Sequence, residues 1–241
     1  MLEIIYQDKH LVAINKPHGL LVQRTKIAEE TENFAVQTLR DQMGCHVYPC
    51  HRIDRKTSGV LVFALDTETE SLMKNIFAEK NLEKFYHCLV RGYFPEYVLL
   101  EKPLAKENGK FQDAKTEFFN LFSLELPISV SRYPTSRYSL ILAKPHTGRM
   151  HQIRRHLAHL RHYIIGDRTH GECKQNNMFR DHFDSNVMML HAWKLVFEHP
   201  ITSKKVVLTA NWQKDFSTLI NKLGIDENSA LEKSAFLVCS K

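Results

Sequence analysis

Several things are scarce in this 241-residue chain. The longest uninterrupted apolar run is six residues, 60–65, where about 20 are needed to span a bilayer. Residues 1–30 hold no signal-peptide core, because Glu3, Asp8, Lys9 and Lys16 break up the apolar stretches. The five cysteines are an odd number without a C-x-x-C pair, which argues against a disulfide framework or a zinc ribbon and suits a reducing compartment. The nine glycines are scattered, and neither G-x-x-x-x-G-K-[ST] nor G-x-G-x-x-G occurs. There is no G-x-S-x-G elbow for a serine hydrolase. His156, His159 and His162 are spaced by three, but no Glu or Cys joins them and neighbouring arginines repel a cation, so no metal site is expected. What remains is an ordinary globular composition, 43% hydrophobic and 25% charged. The expectation is a cytoplasmic, monomeric protein with no membrane segment and no obligate protein partner. It is read as a single domain over 1–241, at most bilobed, with a C-terminal tail from about 224.

The charge that is present is unevenly placed. The chain carries a formal +6. Within residues 144–170, Lys144, Arg149, Arg154, Arg155, Arg161 and Arg168 face a single acid, Asp167, and six of the 14 histidines lie in the same window. A local basic patch in an otherwise balanced chain points to a polyanion, with nucleic acid the first candidate. A solvated helix face is the alternative.

Periodicity predicts strands over 2–6 and 11–15, a helix over 33–43 stopping at Gly44, a buried strand over 60–65 and a helix over 67–80. Strand character returns over 85–93, 116–124 and 138–144, with 95–115 read as a long connection. A helix over 149–162 carries an apolar stripe of Met150, Ile153, Leu157 and Leu160. Two strands over 188–199 and 206–210 and a closing helix over 213–223 complete the reading. The fold class expected is α+β, with a largely antiparallel mixed central sheet and flanking helices.

Two clusters could carry chemistry. In His51-Arg52-Ile53-Asp54-Arg55-Lys56-Thr57-Ser58-Gly59 an aspartate sits among cations at the mouth of a buried strand. It is available as a nucleophile or anchor, or as a member of a surface ion-pair cluster. In Thr147-Gly148-Arg149-Met150-His151-Gln152-Ile153-Arg154, Arg154 and Arg161 fall at the edge of the apolar stripe. An arginine there needs a carboxylate partner. Arg155 lies opposite the stripe and is expected to meet solvent and phosphate.

Together these clusters resemble the RluA-type pseudouridine synthases. Asn15-Lys16-Pro17-His18-Gly19-Leu20-Leu21-Val22 is similar to the opening segment of that family, His51–Gly59 to its aspartate motif, and Glu83-Lys84-Phe85-Tyr86 to its tyrosine strand. Thr147–Arg154, Ile165-Gly166-Asp167, and Leu190-His191-Ala192 through Phe197-Glu198-His199-Pro200 match later motifs in order. Arg132-Tyr133-Pro134-Thr135-Ser136-Arg137-Tyr138 and the 154–162 segment resemble the branch that modifies uridine 65 of certain tRNAs. No N-terminal S4 module is expected, in keeping with that branch.

The resemblance implies isomerisation of uridine to pseudouridine in RNA, tRNA first, without a cofactor. It implies Asp54 as nucleophile, Tyr86 as the aromatic residue against the flipped base, and Arg154 as the arginine paired with the nucleophile. Arg52, Arg55, Arg149, Arg155 and Arg161 are expected on RNA. An rRNA-directed enzyme of the same family, or a non-catalytic RNA-binding or folding factor, are the alternatives.

Overall fold

The computed structural model describes residues 1–23, 34–79 and 81–239. In chain order the first elements are β1 (Glu3–Gln7), β2 (Leu11–Lys16), α1 (Ala35–Met43), β3 (Tyr48–Pro49), β4 (Ser58–Ala64) and α2 (Thr67–Glu79). Then come β5 (Leu82–Arg91), β6 (Tyr97–Glu101), β7 (Leu104–Ala105), β8 (Phe111–Gln112), β9 (Lys115–Leu126) and β10 (Ser136–Pro145). The chain continues through α3 (Gln152–His159), α4 (Cys173–Phe183), β11 (Leu190–Glu198), β12 (Lys205–Thr209), α5 (Lys214–Lys222) and α6 (Glu227–Cys239). It folds as two compact units, one of Met1–Lys84 with His191–Gln213, the other of Phe85–Leu190 with Lys214–Lys241.

In the first unit β1, β2 and β4 pair antiparallel in that order, and β3 also lies along β4. β11 joins β4 in parallel, through His191 opposite Ser58 and Ala192 opposite Gly59, and β12 returns antiparallel along β11. Every residue of β2 and β4 is buried. Their two-residue period divides them between two cores. Leu11, Ala13, Val60, Val62 and Ala64 pack with Met73 of α2 and with Leu195 and Phe197 of β11. Val12, Ile14, Leu61 and Phe63 pack with Ala35 and Leu39 of α1. Each full burial of a Val, Leu, Ile or Phe contributes about 1.5–3 kcal/mol, so the short strands are stabilised from both faces. α1 stops where the chain turns left-handed at Gly44 (φ 68°), whose N–H donates to the Arg40 carbonyl. α2 starts on Asp66, whose carboxylate accepts from the Thr69 N–H and hydroxyl.

In the second unit β5, β10, β9 and β6 form an antiparallel run in that order. Tyr138 of β10 meets Phe179 of α4 edge-on at 4.8 Å and its hydroxyl donates to Gln175 Oε1 at 2.5 Å. α6 is fixed to the sheet where His87 of β5 bonds Ser234 (2.9 Å) and where Lys233 Nζ donates to the Leu121 carbonyl (2.7 Å). The fold is thus α+β with mainly antiparallel pairing, as expected. Residues 95–115 are more ordered than a connection: they contain β6, paired with β9, and the β7–β8 hairpin.

Candidate active site

Asp54 belongs to the first unit, on the loop that feeds β4, and is half-buried. Its carbonyl accepts from the Thr57 N–H at 3.0 Å, closing a turn over Arg55 and Lys56. A second turn is latched to the first. Gly19 N–H donates to the Arg55 carbonyl and Arg55 Nε donates to the Gly19 carbonyl, both at 2.9 Å. Beneath them lies Lys16, fully buried at the end of β2. Its ammonium donates to the carbonyls of Pro17 and Leu20 at 2.9 Å and of Arg55 at 3.1 Å. Burial pulls its pKa down to about 7, against the opposing pull of the Asp54 carboxylate. One side chain therefore joins the end of β2, the 17–20 turn and the Asp54 loop. Sequence reasoning placed Lys16 in a motif but gave it no role; the available signal was a lone cation closing an apolar strand.

The strand behind this loop is equally fixed. His191 Nε2 donates to the Ala210 carbonyl (3.1 Å), so its Nδ1 accepts from the Ser58 hydroxyl (2.8 Å). Burial lowers its pKa to about 4. Gly59 (φ 108°) has no space for a side chain, because a Cβ there would lie 2.1 Å from the Ala192 carbonyl oxygen. His51 stacks on Phe77 at 4.5 Å and its Nε2 accepts from the Val62 N–H at 3.1 Å. Burial first, and the Lys84 cation second, push its pKa to about 3. Arg52 and Arg55 are exposed on the same loop.

Tyr86, Arg149, Arg154, Arg155 and Arg161 belong to the second unit. Tyr86 is half-buried on β5, opposite Ala143 of β10. Arg154, buried on α3, holds Asp167 with two parallel bonds, Nε to Oδ2 at 2.7 Å and Nη2 to Oδ1 at 2.8 Å. Asp167 Oδ1 also accepts from the N–H groups of Thr169 and His170. Burial opposes its charge, but the Arg154 bonds and these backbone donors outweigh it and hold the carboxyl below the usual range. The partner that the apolar-edge position demands includes the one acid of the basic window.

The helix itself is shorter than its periodicity suggested, spanning 152–159 and not 149–162. At its start His151 takes a left-handed φ of 53°, and at its end Arg161 does so at 61°, a conformation that breaks helical continuity at both sites. Met150, expected on the buried stripe, is 56% exposed because it precedes the helix. The buried face is more polar than expected and includes Gln152, Arg154 and His156. Arg155 and Arg149, expected on phosphate, are half-buried and donate to backbone: Arg155 Nη1 to Ala105 O at 3.0 Å, Arg149 Nε to Asp113 O at 2.9 Å. Arg161 is exposed.

These features define a class. Residues 10–159 match the family described as RNA pseudouridylate synthase, and the chain belongs to that family; it is an RNA uridine isomerase. Among its relatives is tRNA pseudouridine synthase C of Vibrio cholerae, 45% identical over 239 residues, covering 95% of this chain and 98% of that protein. The Yersinia pestis protein of the same name is 44% identical over 93% of this chain and 91% of its own length. The fold is similar to that of human RNA Pseudouridylate Synthase Domain Containing 4, with a TM-score of 0.71 at 22% identity, covering 93% of this chain and 94% of that one. Among the described residues, no helix is long and apolar enough to cross a membrane.

Proposed function

We propose that the protein converts a uridine of tRNA, position 65, to pseudouridine, with Asp54 as nucleophile and no cofactor. The observation that carries the tRNA reading is the near full-length identity to proteins named tRNA pseudouridine synthase C. The reaction breaks the N1–C1′ bond, turns the uracil and forms the C5–C1′ bond; C5 loses a proton and N1 gains one, so composition is unchanged. Asp54 suits the attack at C1′ because Lys16 and the Arg55–Gly19 bonds fix its loop before substrate arrives. Tyr86 is the aromatic surface for the uracil, and Arg154, oriented by Asp167, supplies positive charge.

A uridine in a stem must leave the stack at a cost of a few kcal/mol, offset by contacts of exposed cations such as Arg52, Arg55 and Arg161 to phosphates. Helical RNA is read mainly by shape and 2′-hydroxyl contacts, so the fit of the RNA surface selects the site.

The test is to map pseudouridine in total RNA from cells lacking the gene, before and after restoring wild type or Asp54→Asn. Loss of one tRNA pseudouridine, restored only by wild type, is expected. Loss confined to rRNA would replace the tRNA reading, and full restoration by Asp54→Asn would mark a non-catalytic RNA factor.

A further inference from the structure

Residues 102–115 have little core of their own, yet α3 and the loop before it hold them at five points. His156 Nε2 bonds the Lys102 carbonyl (3.0 Å), Arg155 the Ala105 carbonyl and Arg149 the Asp113 carbonyl. Gln152 Nε2 donates to the Lys115 carbonyl at 3.0 Å, and Thr147 Oγ1 accepts from the Lys115 N–H at 3.1 Å. Two-residue strands such as β7 and β8 are not stable alone, so these bonds are what fix the hairpin. Leu104 turns inward and is 6% exposed, whereas Phe111, on the opposite face, is 74% exposed. Lys106 and Lys110 flank the tip, joined by an N–H to carbonyl bond of 2.8 Å, and both are exposed. Glu107 and Asp113 temper the charge of residues 102–115, which remains positive with four lysines.

The hairpin, a two-stranded sheet of its own, leads into β9 of the sheet that carries Tyr86. Tyr86 lies opposite Ala143, Ala143 opposite Phe118, and β9 begins three residues earlier at Lys115. That is about 10 Å along β9 at roughly 3.3 Å per residue, and two strand spacings of about 4.8 Å across the sheet.

We propose that the 104–112 hairpin is an RNA-gripping element, with Phe111 stacking on a nucleobase near the target uridine and Lys106 and Lys110 meeting its flanking phosphates. This rests on the reading of the protein as an RNA uridine isomerase. An outward aromatic between lysines is the combination that binds unpaired nucleotides, stacking for the base and charge for the backbone. Rigid anchoring lowers the ordering cost on binding. Arg149 and Arg155 are then positioning residues that act on RNA through the hairpin.

The experiment measures tRNA affinity at several salt concentrations, and single-turnover rates at saturating tRNA, for wild type, Phe111→Ala, Phe111→Trp, Lys106→Ala/Lys110→Ala and Arg155→Ala. Phe111→Ala should bind about tenfold more weakly with an unchanged salt slope, and Phe111→Trp should restore affinity. The double lysine variant should flatten the log–log slope by about one to two units. Arg155→Ala should reproduce the Phe111→Ala loss, and combining them should add little. Saturated rates should stay within about twofold of wild type. Unchanged affinity in both Phe111→Ala and the lysine variant overturns the proposal, and so does a rate loss at saturating tRNA with affinity intact. If wild type forms no pseudouridine in tRNA, the proposed function fails, while the affinity ratios still decide the hairpin.

Discussion

Arg154 and Asp167 sit 13 residues apart and close a bidentate ion pair in which both side chains are buried, 7% and 1% exposed. Removing one member breaks a buried, hydrogen-bonded pair, at about 3–5 kcal/mol. Asp167→Asn should therefore lower the melting temperature well beyond the change seen for a surface substitution such as Arg161→Ala. A paired replacement, Arg154→Met with Asp167→Leu, should recover part of the stability and none of the turnover. Thermal melts and single-turnover assays together check this, and recovery of turnover in the paired variant would limit Arg154 to a structural role.

Asp54→Asn should abolish turnover with the fold and RNA affinity close to wild type, since the swap keeps the shape and removes the proposed nucleophile. Tritium release from 5-³H-uridine tRNA measures it. Retention of more than about a tenth of the rate, roughly 1.4 kcal/mol in the barrier, would remove Asp54 from that role.

The buried histidines set an acid limit. Both His51, at about 3, and His191, at about 4, titrate below the ordinary value of 6.5. Protons bind the unfolded chain more readily, so stability is intact above about pH 6.5 and is lost as pH falls toward the folded values. Each contributes a loss of about 2 kcal/mol between pH 6.5 and 5, at roughly 1.4 kcal/mol per unit. His191→Gln keeps a donor for the Ala210 carbonyl and an acceptor for Ser58 without titrating. Urea unfolding at pH 7 and 5 should show a pH dependence about 2 kcal/mol smaller than wild type in that variant; an identical dependence would count against the assignment.

Two glycines with positive φ separate backbone strain from crowding. Gly44→Ala has open space around the new Cβ and should cost about 1 kcal/mol from its left-handed conformation alone. Gly59→Ala drives a Cβ into the Ala192 backbone, so the β4–β11 pairing must open. Soluble yield and chemical denaturation should show a mild loss in the first and no stable fold in the second.

Much of this was legible in the linear sequence because it rests on local periodicity. The apolar runs of β2 and β4 and the apolar face of α2 are properties of neighbouring residues, and they emerged near the observed bounds. The motif residues Asp54, Tyr86 and Arg154 were also visible as types in order. What was not legible depends on distant partners. Phe111 and Lys115 sit in a polar, turn-rich stretch that looks like a linker until His156, Arg155 and Arg149 are seen to hold it. The ends of α3 are set by left-handed residues His151 and Arg161, which carry no glycine signal. α4 lacks a regular apolar stripe, and its burial of Gln175 is explained only by Tyr138.

The parallel contact between β4 and β11 also bears on how the chain is made. Ser58 and Gly59 leave the ribosome about 130 residues before His191 and Ala192, a delay of some 7–26 s at about 5–20 residues per second. Throughout that interval one border of β4 lacks the β11 portion of its final pairing, and an open strand border is a site for mispairing. The first unit cannot be completed until most of the second has emerged, since its last segment ends at Gln213. Truncation upstream of His191 should thus yield no partially useful half but an aggregation-prone nascent chain, and slow, non-local closure should dominate refolding of the full protein.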